Sequence, residues 1–439
     1  MKIKLLNNTF FEITTINNYK LVCDPWLGQM NDTATWSYPN ISSDKKILNK
    51  IKPNLIYISH LHTDHFDEKI IKNLKDKNTL FIIKKFRDGR LKKKINDLGI
   101  KNIRELNAWQ SYKFNSFELT IIPCDSSTNK NHITDIKYDL DTSILIYEKY
   151  SRTCFYNNVD NPCTDKILKK VKLFAKKKYN KINIASFAPR AASEFPQCFI
   201  NLSGSKKLSY KKSIISEKFN ASLNKLKVIG ANNYIPAGGN YVIYGKNYKL
   251  QKFVAHPTIK AMDDFFKNKV SYFNIDNSGF VEFKNGEIIK YYRSETKENN
   301  FKIPSNIKRK KYPHEILKKK EDLDKKFFKA KDNYLRICKM INIKKSWKIN
   351  IFLYNNLIIN NKYKLRHKNK YLKKYQINWN SKEKKIYNFN IFLEKKLFSK
   401  LINGSQNWNM SIGGSLIMFE TFPNKFVPDI PFSLNFLRI

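Results

Sequence analysis

Short apolar runs separated by asparagine-containing turns predict strands in the first part of the chain. Apolar residues that recur at helical spacing, such as Ile70, Ile71 and Leu74, predict helices between those strands. Strands interleaved with helices are typical of a layered α/β domain, which we assign to residues 1–298. The predicted strands are KIKLL, FFEITT, YKLVCDPW, 55–59, 79–83, 117–123, 142–148, 152–157 and INIASFAP, and the predicted helices are 44–52, one opening at 67–68, 87–98, 164–178 and 206–229.

The composition and the hydrophobic pattern of the chain change after residue 298. Residues 299–345 are highly charged and then helical in pattern, which predicts a connector followed by a helix. Residues 346–439 are rich in strand-forming residues, and KINIFLY and YNFNIFLE alternate as strands do. KKLFSKLING predicts a short helix that stops at Gly404, and NMSIGGSLIMFETF predicts a further strand. We therefore expect a smaller C-terminal α+β domain.

Composition narrows the class of protein. The first twenty residues lack the apolar run of a signal peptide, and no window approaches the ~20 apolar residues of a membrane span. A cytoplasmic protein is therefore expected. Lys plus Arg number 83 against 37 Asp plus Glu, a formal net charge of +46, which favours an acidic partner. Because the excess is lysine spread along the whole chain and arginine is scarce, nucleic acid is an unlikely partner and an acidic small molecule is favoured.

The stretch YISHLHTDHF at 57–66 is the most specific chemical signal. His60 and His62 are two residues apart in extended chain after a buried strand, so their imidazoles can share one metal ion. Asp64 and His65 follow and can bind a second ion beside it. Three imidazoles and a carboxylate favour zinc, with manganese or iron as alternatives.

The HLHTDH stretch and several others resemble motifs of a known protein family. ISHLHTDH after a strand resembles the signature of the metallo-β-lactamase superfamily, which implies an αββα sandwich with a one- or two-metal site at its rim. Further stretches resemble the branch containing the metallohydrolase-like part of CMP-N-acetylneuraminate hydroxylase and the ascorbate-6-phosphate lactonases. They are CDPWLG at 23–28, DTSILIYEKYSRTCFYNNVDNP at 141–162, ASFAPRAASEFPQCF at 185–199, NYIPAGGNYV at 233–242 and QNWNMSIGGSLIMFETFPNKF at 406–426.

The resemblance implies the remaining metal ligands. The family's third ligand to the first ion is a histidine ahead of the strand that begins here at Asp141, which points to His132, with Asp125 as the alternative. The bridging carboxylate corresponds to Asp160, and the last ligand to His256. Asp24 is expected to hold a ligand imidazole from behind.

Three further residues are candidates for substrate contact. Arg190, a rigid cation near the inferred rim, could clamp a carboxylate or phosphate. Trp26 and Trp36 could form the floor of the pocket, although a place in the core is equally consistent with the sequence.

The predicted activity is hydrolysis of an acidic small molecule such as a sugar phosphate, nucleotide sugar or surface-glycan intermediate. Water acidified on the two divalent ions would attack, and Asp64 would pass the proton to the leaving group. A hydroxylase of the CMP-sialic-acid type is the alternative; since the chain lacks a CxH…CxxH set, it would need a separate iron–sulfur protein. A phosphodiesterase or phospholipase of the same fold is another. The C-terminal part resembles sterol-carrier-like domains, which implies apolar-ligand binding or pairing of subunits into a homo-oligomer.

Overall fold

The computed structural model describes residues 1–27, 35–37, 45–86, 89–124, 141–239, 241–275, 278–293, 305–308, 310–316, 322–381, 383 and 385–439. Its strands are β1 Lys2–Asn7, β2 Phe10–Thr14, β3 Lys20–Cys23, β4 Thr35–Ser37, β5 Leu55–Tyr57, β6 Leu80–Lys84, β7 Ile103–Leu106, β8 Ser111–Phe114, β9 Phe117–Pro123, β10 Thr142–Glu148, β11 Thr153–Asn157, β12 Ile184–Phe187, β13 Asn233–Pro236, β14 Tyr241–Ile243, β15 Ser271–Tyr272, β16 Phe280–Lys284, β17 Glu287–Tyr292, β18 Ser346–Tyr354, β19 Lys373–Trp379, β20 Ile386–Glu394 and β21 Met418–Phe422.

The α-helices are α1 Lys45–Ile51, α2 Glu68–Leu74, α3 Arg90–Asp97, α4 Asp165–Tyr179, α5 Gly204–Ile229, α6 Ile259–Phe266, α7 Ser305–Lys308, α8 Leu323–Met340, α9 Lys395–Ile402, α10 Trp408–Gly413 and α11 Asp429–Ser433. Gly245–Phe253, Pro313–Ile316 and Leu434–Phe436 form 3₁₀ turns. Within the described residues, no helix is both long and apolar enough to cross a membrane.

Two large sheets face each other in the N-terminal part. The first has the strand order β17-β16-β1-β2-β3-β5-β6-β7, and the second has the order β15-β13-β12-β11-β10-β9-β8. Apolar residues from the facing sides of both sheets form one buried cluster between them, including Phe11, Tyr57, Ile144 and Phe155. The two sheets therefore share a core that neither could bury alone.

Helices cover the outer face of each sheet. The apolar sides of α1, α2 and α3 pack on the first sheet through residues such as Leu48, Ile71 and Ile95. Those of α4, α5 and α6 pack on the second sheet through residues such as Val171 and Leu226. The result is the four-layer αββα sandwich, which confirms the predicted fold class.

A four-stranded sheet of order β19-β18-β20-β21 forms the C-terminal part. It shares one hydrophobic cluster with α8 and α9 and with the segment around Phe199, whose backbone pairs with Phe419. The strand predicted over 409–422 is wrong in its first half. The Asn407 side chain accepts a hydrogen bond from Met410 N and caps α10, so only Met418–Phe422 is extended. The division at residues 298 and 345 stays a prediction.

Strand direction brings the chemical side chains to one rim. β3 and β5 are parallel neighbours in the first sheet, and β11, β12 and β13 are parallel neighbours in the second. Their carboxyl ends are followed by Asp24, His60, Asp160, Arg190 and Gly238. Such an edge is where α/β sheets bind ligands, so the site is built from loops on rigid strands.

Candidate metal centre

The HLHTDH loop folds into a tight turn between β5 and α2. The backbone amides of His65 and Phe66 both donate to the carbonyl of His62, at 2.9 Å and 2.8 Å. Asp67 then caps α2 by accepting from the backbone amides of Lys69 and Ile70. This turn reverses the chain within six residues, so side chains that are separated in sequence meet in space.

The imidazoles of the loop converge with Asp160. His60 Nε2 lies 2.9 Å from His62 Nδ1, and the rings of His60 and His65 are 4.2 Å apart between centroids. His65 Nε2 lies 3.2 Å from Asp160 Oδ2 and 3.4 Å from Asp64 Oδ2. Ligand atoms of His60, His65 and Asp160 all fall within 4.8 Å of one another, which is the spacing of a metal-binding group.

Asp141 joins the cluster, although sequence reasoning did not propose it as a ligand. Its Oδ1 lies 3.6 Å from His60 Nε2. Asp141 immediately precedes β10, which runs antiparallel to β11, so its side chain reaches the same rim as Asp160. The signal in the sequence was its position directly ahead of β10, where the family resemblance implies a ligand and where His132 or Asp125 was predicted.

Asp24 supports two of the imidazoles from behind. It accepts from the backbone amide and the hydroxyl of Ser59, both at 2.7 Å, and its Oδ2 lies 3.1 Å from His65 Nδ1. The Ser59 hydroxyl also lies 2.9 Å from His60 Nδ1. Because the Nδ1 atoms are engaged on this side, the Nε2 atoms of His60 and His65 face the cluster.

Burial and neighbouring charges shift the pKa values of the side chains in the HLHTDH loop. Burial and the adjacent His65 lower the pKa of His60 to about 4, and burial and His60 lower the pKa of His62. Burial alone would raise the pKa of Asp64, but the neighbouring His65 holds it below its ordinary value. His60 and His62 are therefore neutral and Asp64 is ionised at neutral pH, the forms in which these side chains bind metal. Burial alone would lower the pKa of His65, but the carboxylates of Asp64 and Asp160 raise it well above its ordinary value, so a metal ion bound there would displace a proton from this ring.

The pKa values of the other two carboxylates, Asp160 and Asp141, shift in opposite directions. For Asp160, burial is outweighed by His65, and the pKa is lowered. For Asp141, burial prevails and raises the pKa to about 6. A bound cation would favour the ionised form of Asp141 as well.

Of the other predicted ligands, only His256 lies within the described residues. His132 and Asp125 fall outside the described residues. His256 packs edge-on against Tyr241, with ring centroids 4.6 Å apart, and it is absent from the converging group that the described part of the chain forms.

Two of the three residues predicted to contact substrate, Arg190 and Trp26, are buried. Arg190 is buried and donates from a guanidinium nitrogen to the carbonyl of Gly238 at 3.4 Å. Trp26 is only 1% exposed and packs in the hydrophobic cluster that contains the C-terminal sheet, so it is part of a core. The side chain of Trp36 is not among those described.

The donor chemistry fits divalent metal ions. His60 and His65 offer imidazole nitrogens and Asp160 a carboxylate oxygen to one group, and His62, Asp64 and Asp141 each lie within 3.6 Å of His60 or His65. An equal mixture of imidazole and carboxylate suits iron and manganese as well as zinc.

Comparison with known proteins agrees with this fold. Residues 2–139, which contain the HLHTDH loop, match the family described as "Beta-lactamase superfamily domain". No curated protein sequence matches the chain.

Three solved structures illustrate the range of structural neighbours. A possible metal-dependent hydrolase from Veillonella parvula is 15% identical, with 66% of this chain and 98% of that chain covered and a TM-score of 0.39. CmlA, a diiron β-hydroxylase from Streptomyces venezuelae, is 11% identical, with 60% and 49% covered and a TM-score of 0.38, so the match spans about half of CmlA. Unliganded yeast PDE1 is 10% identical, with 62% and 95% covered and a TM-score of 0.33.

Proposed function

We propose that this protein is a metal-dependent hydrolase of an acidic small molecule, such as a sugar phosphate, a nucleotide sugar or a surface-glycan intermediate. The observation that carries the proposal is the convergence of His60, His65 and Asp160 at the rim of the sandwich. Buried imidazoles that face carboxylates at 3.2–3.6 Å support a cation site at this rim.

Each residue receives a role from its position. His60, His62 and Asp141 would hold one ion, Asp64 and His65 would hold a second, and Asp160 would bridge them. Ions bound there supply acidification of water and polarisation of the scissile bond. Asp64, where it is not fully committed to an ion, is the carboxylate that would accept a proton at this point of the rim and donate it to the leaving group.

The charge of the chain supports an acidic substrate. The formal net charge of +46 attracts anions over a long range, and the buried guanidinium of Arg190 donates to the carbonyl of Gly238, which follows β13 at the same rim. A guanidinium binds carboxylate and phosphate equally well through paired hydrogen bonds. The substrate class is therefore an oxyanion, and its remaining structure is open.

Turnover of generic substrates tests the hydrolase proposal. We would assay bis-(p-nitrophenyl) phosphate and p-nitrophenyl acetate with Mn²⁺, Fe²⁺ or Zn²⁺ and compare Asp64→Asn with the surface variant Asp263→Asn. Loss of a proton-transfer group should lower kcat/KM by roughly 100-fold or more in Asp64→Asn. Equal turnover by both variants, with equal metal content, would contradict the proposal.

Oxygen chemistry is the second candidate, and Asp141 favours it. With His60 and His62 it supplies two histidines and one carboxylate, the ligand set of non-haem iron oxygenases. The reaction would need electrons from a separate iron–sulfur protein. Oxygen consumption by the iron-loaded protein with a reduced ferredoxin, and none by the zinc-loaded protein, would favour this candidate over hydrolysis.

A further inference from the structure

A diglycine turn after β13 separates the metal cluster from a second group of buried polar side chains. A Cβ on Gly238 would lie 3.8 Å from Asp160 Oδ1 and 3.0 Å from Ala188 Cβ. A Cβ on Gly239 would lie 2.8 Å from Arg190 Cβ. Both glycines have positive φ, +102° and +74°, so the backbone passes between Asp160 and Arg190 where a side chain would not fit.

The second group is continuous with this turn. The amide of Ala191 donates to the carbonyl of Ala255 at 3.4 Å, which sets the segment of Arg190 beside that of His256. The ring of His256 in turn contacts the ring of Tyr241, and the amide of Tyr241 donates to the carbonyl of Gly239 at 3.2 Å. Arg190, Tyr241 and His256 therefore lie on segments that backbone hydrogen bonds and a ring contact join to one another and to this turn.

Two polar atoms in this group are buried and unsatisfied. Tyr241 is 7% exposed, and neither its hydroxyl nor His256 Nε2 has a hydrogen-bond partner among the residues described. A buried donor or acceptor without a partner costs stability, so such atoms in a rim site point to a ligand that completes them. The adjacent guanidinium makes an oxyanion the matching ligand.

The protonation states of His256 and Tyr241 determine which of their atoms donate and which accept hydrogen bonds. Burial and the charges of Arg190 and Lys211 lower the pKa of His256 well below its ordinary value, so the ring is neutral. Because its other nitrogen bonds the backbone of Tyr241, Nε2 carries the lone pair and accepts. Burial, Cys198 and Asp64 raise the pKa of Tyr241, so its hydroxyl stays protonated and donates.

We propose that Arg190, Tyr241 and His256 form a substrate subsite that binds a phosphate or carboxylate group and an adjacent hydroxyl. Arg190 and Tyr241 donate to the anionic oxygens, and His256 Nε2 accepts from the hydroxyl. The anion would then lie on the opposite side of the diglycine turn from Asp160. This placement would direct the bond next to the anion toward the metal cluster. This inference rests on the proposed hydrolase function and adds the substrate's recognition element to it.

Anion binding to the metal-free full-length protein tests the subsite independently of catalysis. After treatment with EDTA, titration calorimetry would measure the affinity for inorganic phosphate and, separately, for acetate. Arg190→Met keeps the Cβ that packs on Gly239 and removes the charge, and Tyr241→Phe removes only an unsatisfied hydroxyl. Tyr272→Phe is the matched control, because the Tyr272 hydroxyl is also buried and without a partner in the described chain but lies on β15.

The expected result is a loss of affinity of about tenfold in Arg190→Met and about threefold in Tyr241→Phe, with Tyr272→Phe unchanged. Tighter binding of phosphate than of acetate identifies a phosphate ester, and the reverse identifies a carboxylic acid. Undetectable binding by the wild type, or equal affinity in all four proteins, overturns the subsite.

His256 has its own control, since it was first predicted as a metal ligand. His256→Phe should retain the full metal content; a lower metal content overturns its assignment to the subsite. The two proposals fail separately. Intact anion binding without turnover of any substrate refutes the hydrolase function. If Arg190→Met and Tyr241→Phe change neither the turnover nor the anion affinity, the subsite is refuted.

Discussion

Asp24 Oδ2 lies 3.1 Å from His65 Nδ1, and the same carboxylate accepts two hydrogen bonds from Ser59. Because Ser59 Oγ is also 2.9 Å from His60 Nδ1, one fully buried carboxylate orients two imidazoles. Asp24 has φ +43°, an unusual conformation for a residue with a side chain. The chain accepts this strain at the residue that fixes the direction of both rings.

Asp24→Asn should weaken metal binding while leaving the six donor residues in place. Loss of a partner behind ligand histidines typically costs about 10–100-fold in metal affinity. Competition with a fluorescent chelator would measure the affinity, and Asp263→Asn, which alters a surface pair with Arg293, is the control. An affinity equal to that of the control would mean that Asp24 does not orient the ligands.

Asp141→His should change metal selectivity. The exchange of a carboxylate for an imidazole beside His60 and His62 gives a three-nitrogen set, which favours zinc over manganese and iron. We would load each protein with equal Mn²⁺, Fe²⁺ and Zn²⁺ and measure the bound ratio. An identical ratio in wild type and variant would place Asp141 outside the ligand set.

Gly239→Ala should be more destabilising than Gly404→Ala. Both glycines have φ +74°, so both substitutions carry the same left-handed strain of ~1–2 kcal/mol. Gly404 has open space around its Cβ position, whereas Gly239 would meet Arg190 Cβ at 2.8 Å. We expect an extra loss of about 1–2 kcal/mol for Gly239→Ala in urea unfolding. Equal losses would show that the turn adjusts without moving Arg190.

Glu394→Gln should destabilise the junction between the 3₁₀ turn 245–253 and the C-terminal sheet. Glu394 is 6% exposed, pairs with Lys246 and lies 3.1 Å from His314 Nε2. Removing one partner of a buried pair costs about 3 kcal/mol. Asp97→Asn breaks the exposed pair with Lys93 and should cost about 0.5 kcal/mol or less.

The loss in Glu394→Gln should depend on pH. Burial alone would raise the pKa of Glu394, but His314 and Lys246 lower it below the ordinary 4.5. A lowered carboxyl pKa stabilises the folded state above pH 4.5, and this stabilisation is lost as the pH falls below that value. Urea unfolding at neutral and acidic pH should therefore show the difference from wild type shrinking below pH 4.5. A difference that is constant with pH would rule out the ion pairs as its cause.

The sandwich could be predicted because its elements carry strong local patterns. The helices predicted at 164–178 and 206–229 are α4 and α5 within two residues at each end, since Thr164 and Ser203 cap them. Strand β19, with the polar sequence KKYQINW, was not predicted. It is extended because all seven of its residues pair with Trp347–Leu353 of β18, a tertiary cause that local pattern does not contain.

The site was predictable to the extent that its residues lie in one motif. His60, His62, Asp64 and His65 are adjacent in sequence, and Asp160 followed from a family resemblance. Asp141 was missed because its approach to His60 depends on the packing of the second sheet, which contains β10, against the first, which contains β5. Trp26 was proposed for the pocket, and only the packing of the C-terminal sheet reveals its core environment.

The metal content of the purified protein decides whether the rim holds a metal centre. Wild type and Asp160→Ala, each incubated with excess Mn²⁺, Fe²⁺ or Zn²⁺ and desalted, would be analysed by plasma mass spectrometry, with Asp263→Asn as the control. Wild type and control should hold about two equivalents, and Asp160→Ala, which lacks the bridging carboxylate, about one or fewer. A wild-type content near zero, or a content in Asp160→Ala equal to that of wild type, would contradict the account.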